Sequence, residues 1–471
     1  MTSLSIIMME YQVKRRPGSF HPGGVIFFLA FVLTGMMSIQ NYGVALANAA
    51  ALTADVQAGG ISEKGDLTLQ QVLQLVLQNN PELSAFSREM AAHEGTKLQA
   101  GLFNNPEFSI EAEDINSSNS AIQKFATFRI SQLIELGGKR PARVNVATLG
   151  QELAAQAHAA KRLEIIARTA SAFVDVLENQ AQVSVMDDTL HLVQVAMETV
   201  VKRVEAGKAP PMEAIRSKVA LSTASIELEQ ARRSLSSART KLALLWGEAE
   251  PRFDRVLGEL ESFVEIPEFD QLVKRLEENP VVRQSLKNVA QREAMVELEK
   301  ARKIPDITVD AGIRRYLGTD DTTAVVGMSI PIPIFNRNQG NELEARQRLN
   351  KAMDERTSVE LQLRTEFVRN YENLLAARNE IRVLHDEVLP GAQNAFEITN
   401  RGYQLGKFSF LEMLDAQRTF FQNRILYVRA LANYQRLVNT IEQLIAAPLA
   451  DLATSATDST RLNNQGKEHN Q

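Results

Sequence analysis

Residues 186–217 read MDDTLHLVQVAMETVVKRVEAGKAPPMEAIRS. Apolar side chains fall at Met186, Leu190, Val193, Met197, Val200 and Val204, in steps of three and four, the spacing of a helix packed along one seam. Gly207 to Pro211 interrupts the pattern, and a returning helix is predicted from about Met212 to Trp246. Upstream the same spacing continues through Leu163, Ile166, Ala170, Phe173 and Leu177. From Pro141 to Ala206 the only interior glycine is Gly150, and no second proline occurs. As one helix this stretch spans ~100 Å at 1.5 Å per residue. Few compact domains need such a rod, so the stretch predicts a long antiparallel helical hairpin.

The plan recurs. Asn80-Pro81 returns as Asn279-Pro280, Pro106 as Pro305, Gly207-Lys208 as Gly406-Lys407 and Glu213 as Glu412, always 199 residues on (406 − 207 = 199). Breakers in one register at four places indicate duplication of a whole unit. The first repeat is placed at residues 67–247 and the second at residues 268–447, with an irregular connection at residues 248–267. Within them the pattern predicts helices from Leu67 to about Phe103, running through Pro81, and from Phe269 to Arg302. A further helix is expected from Asn341 to Leu405, kinked at Pro390-Gly391, and a return from Ser409 to Leu444.

Between the helices the period changes from 3.6 to 2. Strands are expected at about 107–115, 125–134, 306–315 and 322–331, with a polar loop from Asn116 to Ser120. Phe108, Ile110, Phe128, Ile130, Ile307, Val309, Val326 and Met328 fall on one face. Thr127, Arg129, Thr308, Asp310 and Arg314 fall on the other. About nine residues, tilted, is the length that crosses a bilayer in a β-barrel. Four strands cannot close around a pore. Several chains must therefore contribute strands, or the strands form a soluble sheet.

Lys14, Arg15 and Arg16, the apolar run Val25 to Met37 and the small residues Ala45-Leu46-Ala47 follow the order of a secretory signal peptide, placed at residues 1–47. A linker is expected at residues 48–66 and a disordered polar tail at residues 448–471. The chain has no cysteine, which excludes disulfides, thiolate metal sites and a lipid-modified N-terminal cysteine. A net charge of −5, with both signs spread along the helices, gives no nucleic-acid footprint.

These features together resemble the TolC family of outer-membrane efflux proteins, from about Leu67 to Ala447. The segments Ile130-Ser131-Gln132-Leu133-Ile134-Glu135-Leu136-Gly137-Gly138-Lys139-Arg140 and Ile330-Pro331-Ile332-Pro333-Ile334-Phe335-Asn336-Arg337 are similar to its cobalt–zinc–cadmium branch. Tyr403 to Lys407, followed by Phe410 to Gln417, resembles the family's periplasmic tip. The resemblance implies a mainly α fold with a small β part. It implies a homotrimer whose four strands per protomer make a 12-stranded outer-membrane barrel, embedded in lipid and continued by a helical periplasmic barrel. It also implies a periplasmic adaptor and an inner-membrane pump of the RND type, docked at a tip that includes Gly207, Lys208, Tyr403, Gly406 and Lys407. Acidic residues matching Glu412 and Asp415 line the closed aperture in the family. This chain departs at Phe408, where a basic residue helps latch the best-known member; Lys407 is adjacent. Glu213 and Arg216 stand at the first-repeat equivalents of Glu412 and Asp415.

No catalytic constellation is visible. His21, His93, His158, His191, His385 and His469 include no pair three or four apart, so no helical zinc pair exists. No glycine loop cradles a phosphate. Glu111, Glu113 and Asp114 read as a wet surface rather than a cation site. The sequence therefore predicts no enzyme, no cofactor and no bound metal. The leading expectation is a passive duct for metal cations or small toxic compounds. The exit duct of a type I protein-secretion system and a pore-free periplasmic coiled-coil protein are the alternatives.

Overall fold

A computed structural model describes residues 65–115 and 123–452. The signal peptide, the loop at Asn116 to Ser120, most of the linker and most of the tail lie outside the described residues. The chain is mostly helical and divides into two units, a sheet unit (Phe103–Leu136 with Pro305–Ile334) and a helical unit holding the rest of the described chain.

The helical unit begins with β1 (Gly65–Thr68) and α1 (Leu69–Asn79). Thr68 and Gln71 form a capping box, in which each side chain bonds the other's backbone N–H. The helix does not run through Pro81 as the pattern suggested. Asn80 ends α1 with extended backbone, φ −66° and ψ 120°, and caps a new helix, α2 (Pro81–Gly101). The second half shows the same correction. There α5 (Phe269–Arg275) and a short 3-10 turn stop at Asn279, and α6 (Pro280–Ala301) starts with proline at its first position. The reason is local: the residue before proline is pushed out of the helical region, and proline itself fits the first turn.

Both asparagines are buried and each does two jobs. Asn80 Oδ1 accepts from Leu83 N–H at 2.9 Å, while its Nδ2 donates to the Leu245 carbonyl at 2.7 Å. Asn279 Oδ1 accepts from Val281 N–H at 2.8 Å, and its Nδ2 donates to the Gln443 and Leu444 carbonyls at 3.1 and 2.8 Å. Each side chain thus starts one helix and staples it to the end of another. Asn279→Ala removes a cap and takes the side-chain donor from the Leu444 carbonyl, so it is expected to destabilise the helical unit by about 2 kcal/mol. Thermal unfolding of the purified protein checks this. Asn279→Asp, which keeps the cap acceptor but loses the donor, should recover little of the loss.

The long helices follow: α3 (Lys139–Glu205), α4 (Pro211–Leu244), α7 (Gln339–Val383), α8 (Leu389–Gln404) and α9 (Phe410–Ile445). The stretch from Pro141 is thus one helix, as its spacing predicted. α3 packs against α4 and α9, and α9 packs against α7 and α8. Buried Phe367, Leu374, Tyr434 and Ile441 anchor a core shared by α5, α7 and α9. Leu449 is also fully buried in that core, so the packed chain continues past residue 447. Connection 248–267 is not wholly irregular. It contains β4 (Phe253–Leu257), which pairs parallel with β1 and buries Phe253, Val256 and Leu67. The α7–α8 interruption is a π-helical turn at Leu384–Val388, just before the expected kink at Pro390-Gly391.

The sheet unit has four antiparallel strands in the order β2 (Glu107–Glu113), β3 (Phe125–Ile134), β5 (Ile307–Tyr316) and β6 (Thr322–Ser329). The central β3–β5 ladder joins the two halves of the sequence, and β2 and β6 are open edges.

Candidate functional site

Cross-strand register decides the faces of the sheet. Ile110 lies opposite Phe128, which lies opposite Ile313 and then Ala324; Phe108 lies opposite Ile130, then Ala311 and Val326. Val309 pairs with Met328 and Ile307 with Ile134. The apolar positions therefore share one face across all four strands. It is the uncovered face: Phe108, Ile110, Val326 and Met328 are each 61–66% exposed.

The other face carries Thr127, Arg129, Thr308, Asp310 and Arg314, and these side chains interact. Arg129 Nε lies 3.5 Å from Asp310 Oδ2. Arg314 Nε donates to Thr127 Oγ1 at 3.2 Å, and the guanidinium lies 4.1 Å from the centre of the Phe125 ring. Thr127 is 1% exposed as a result. Thr308 stands beside this group, opposite Leu133 and Ser329. Two glycines make room. A Cβ on Gly327 would lie 2.5 Å from Asp310 Oδ1, and one on Gly312 would lie 2.2 Å from the Phe128 carbonyl oxygen. Glycine inside an alternating strand signals such close approach. Ser109 and Ile110, exposed neighbours on opposite faces, are a suitable labelling pair. Single cysteines there should react with a membrane-impermeant maleimide faster at 109 than at 110; the reverse order would invert the faces.

The helical hairpins end in two similar turns. Gly207 and Gly406 hold left-handed backbone, φ 68° and 73°, which glycine adopts without steric cost. Lys208 N–H bonds the Arg203 carbonyl at 2.8 Å, and Lys407 N–H bonds the Gly402 carbonyl at 2.8 Å. Gly207, Lys208, Gly406 and Lys407 are exposed. Tyr403 is not: it is 4% exposed and packs with Val200, Phe410 and Met413. Its hydroxyl donates to Glu213 Oε2 at 3.0 Å. Arg203 stacks on its ring at 4.6 Å and donates to its carbonyl at 2.6 Å. Tyr403 thus ties one hairpin to the other and offers no free face. Phe408 fills the space over Gly402, where a Cβ would lie 2.0 Å from its ring. The polar work comes instead from Arg203 on α3. Nothing in the local pattern announced that pairing, since the partners lie 200 residues apart.

Burial, and then the bond to Glu213, push the Tyr403 phenol up to about 12. A raised phenol contributes stability that is complete below its ordinary value near 10 and is lost as pH rises through about 12. Tyr403→Phe should therefore weaken the tip contact by about 1 kcal/mol at neutral pH. The wild type should lose it only above about pH 10. Limited proteolysis of the tip against pH, in wild type and variant, checks both.

Glu412 and Asp415 are exposed on the first turns of α9. Glu412 Oε2 accepts from Ser409 N–H at 2.7 Å and Ser409 Oγ–H at 2.8 Å, forming a capping box. Those bonds lower its carboxyl below the ordinary value and keep it ionised. Farther along α9, Arg436 bonds Asp175 and Glu178 of α3 at 2.7 and 2.8 Å, and Arg424 bonds Asp188 at 3.0 Å. These inter-hairpin pairs were also invisible in the local pattern. Among the described residues, no cluster of three or more His, Asp or Glu side chains could hold a metal ion.

Comparison with known proteins places this geometry. The family described as outer membrane efflux protein matches residues 72–248 and again residues 272–447. The cobalt-zinc-cadmium resistance protein CzcC of Cupriavidus metallidurans is 36% identical over 381 residues, covering 81% of this chain and 90% of that protein. The nickel-cobalt-cadmium resistance protein NccC of Alcaligenes xylosoxydans xylosoxydans is 26% identical, over 62% of this chain and 66% of its own length. The crystal structure of the outer membrane protein VceC from Vibrio cholerae shares the fold, with a TM-score of 0.68 and 18% identity over 81% of this chain and 96% of that one.

Proposed function

The chain belongs to the outer membrane efflux protein family, and from that premise we propose that it is the outer-membrane channel subunit of a tripartite system exporting metal cations. The observation that carries this reading is the 36% identity to a cobalt-zinc-cadmium resistance protein over most of both chains. The working unit is a homotrimer. Its support is what one copy leaves unpaired. The β2 and β6 edges are open, and 3 × 4 = 12 strands suffice to close a barrel. Exposed apolar rows also run along α4 (Met212, Ile215, Val219, Ile226) and α7 (Leu361, Val368, Leu375), a pattern that a second copy would cover. The matching roles of Asn80 and Asn279, and of Gly207 and Gly406, support duplication of one ancestral half.

In this reading the apolar face meets outer-membrane lipid, while Arg129, Thr308, Asp310 and Arg314 line the lumen, with Thr127 on the same face beneath Arg314. The exposed turns at Gly207-Lys208 and Gly406-Lys407 dock a periplasmic adaptor and, through it, an RND-type pump. Tyr403 holds those turns in shape from beneath. The duct is passive and performs no catalysis. The chain is exported by its signal peptide and is not lipidated.

Deleting the gene in its native host tests the substrate. Tolerance to cobalt, zinc or cadmium should fall several-fold and return with the wild-type gene. Unchanged metal tolerance, with loss of secretion of a protein instead, would favour a type I exit duct.

A further inference from the structure

We propose that the joint where α3, α8 and α9 meet beside Tyr403 is a built water site, in which ordered water bridges Gln417 to Thr199 and Asn400. The site goes beyond the channel reading and does not depend on it.

The residues come from one face of each helix. Met413 and Gln417 stand four apart on α9, Asn400 and Tyr403 three apart on α8, and Thr199 and Arg203 four apart on α3. Met413 and Tyr403 are buried with Val200 and Phe410, an apolar cluster that closes the joint. A cavity of about 60 Å³ is lined in part by Thr199, Asn400, Tyr403, Met413 and Gln417.

Gln417 is the reason to assign a ligand. It is 4% exposed, and neither Oε1 nor Nε2 bonds a protein group. Burying an amide with both ends unserved is costly, and buried polar groups in folded proteins are as a rule bonded to protein or to ordered water. One turn beyond Thr199, Arg203 Nε is also buried without a protein partner, although Nη1 of the same side chain bonds the Tyr403 carbonyl at 2.6 Å. Thr199 Oγ1 donates to the Val195 carbonyl at 2.9 Å and keeps lone pairs with which to accept. The position 199 residues before Gln417 holds Lys218, which is exposed on α4, so the duplication does not account for a buried amide here.

The unserved atoms select the ligand. Gln417 Oε1 needs a donor, and Gln417 Nε2 needs an acceptor. A metal cation would serve the oxygen and be repelled by the N–H groups. An anion would do the reverse. Water donates and accepts, so it serves both ends of the amide. The volume agrees: the cavity holds roughly one or two waters and excludes an organic ligand. Gln417, Thr199 and Asn400 supply the several polar partners that hold a buried water in place. Three helices are thereby joined through polar groups that do not bond one another directly.

A density map of the purified wild-type protein, at a resolution that shows buried water, tests the site. Density is expected within hydrogen-bond distance of Gln417 and of Thr199 or Asn400. A map that shows other buried waters and none here overturns the proposal, and no variant need fold for that result. A double-mutant cycle reads the same bridge in solution, through the rate of tip cleavage under limited proteolysis. Gln417→Met removes the amide at similar volume, and Thr199→Val removes the hydroxyl. With water linking them, each change should speed cleavage about fivefold, and the double variant should be cleaved little faster than either single one. In a dry cavity Gln417→Met removes an unserved amide and slows cleavage, or the two effects multiply in full. Either result overturns the proposal.

Discussion

Ile110→Arg is expected to abolish stable insertion of the protein into outer membranes, while Glu111→Arg on the adjoining residue leaves insertion intact. Ile110 sits mid-strand on the exposed apolar face, opposite Phe128. A guanidinium facing lipid near mid-bilayer costs about 2–4 kcal/mol per copy. In a trimer the charge enters three times, roughly 6–12 kcal/mol if the sites act independently. That is comparable to the whole stability of an ordinary domain. Glu111 lies on the opposite face, across from Thr127, where a long charged side chain can reach water. Membrane fractionation and urea unfolding in vesicles read the difference. Equal loss of insertion in both variants would refute the face assignment.

The second large effect is on selectivity. Replacing Glu412 with Gln and Asp415 with Asn should remove the cation preference of the open channel and weaken block by divalent ions. In the proposed trimer, with Glu412 and Asp415 at its aperture, three copies would place six carboxylates there, and acidic rings attract cations. Glu412 is held ionised by the Ser409 bonds, and a carboxyl depressed in this way loses its charge only as pH falls through its lowered value. Glutamine at 412 can still accept from Ser409, so the capping box survives and the charge alone is removed. Single-channel recording in planar bilayers measures both quantities. Unchanged selectivity and block in the double variant would place the constriction elsewhere.

What could be read from the sequence follows a physical line. Helices as long as α3 announce themselves because their burial repeats at a fixed step, and the strands because register fixes two faces at once. Both signals are local and periodic. The breaks at Asn80 and Asn279 are not legible, since the apolar spacing continues across a proline that sits in the first turn of a new helix. β4 is not legible because its partner, β1, lies almost 190 residues away and the strand is short. The tip shows the same divide: Gly207 and Gly406 are legible as helix ends, whereas the enclosure of Tyr403 by Arg203 and Glu213, each about 200 residues away, is not. Pairings between helices depend on the way the rods lie against each other, which no window of a dozen residues contains.

The ring of three copies is the claim on which the rest depends, and the open edges of the sheet test it. Cysteines at Ser109 on β2 and Ser329 on β6 lie on the polar face at opposite edges. In the otherwise cysteine-free chain, a short bismaleimide should link β6 of one copy to β2 of the next. Membranes carrying the double variant should yield covalent dimers and trimers and nothing larger. A ladder extending past three, or only monomers from inserted protein, would contradict the closed twelve-stranded barrel.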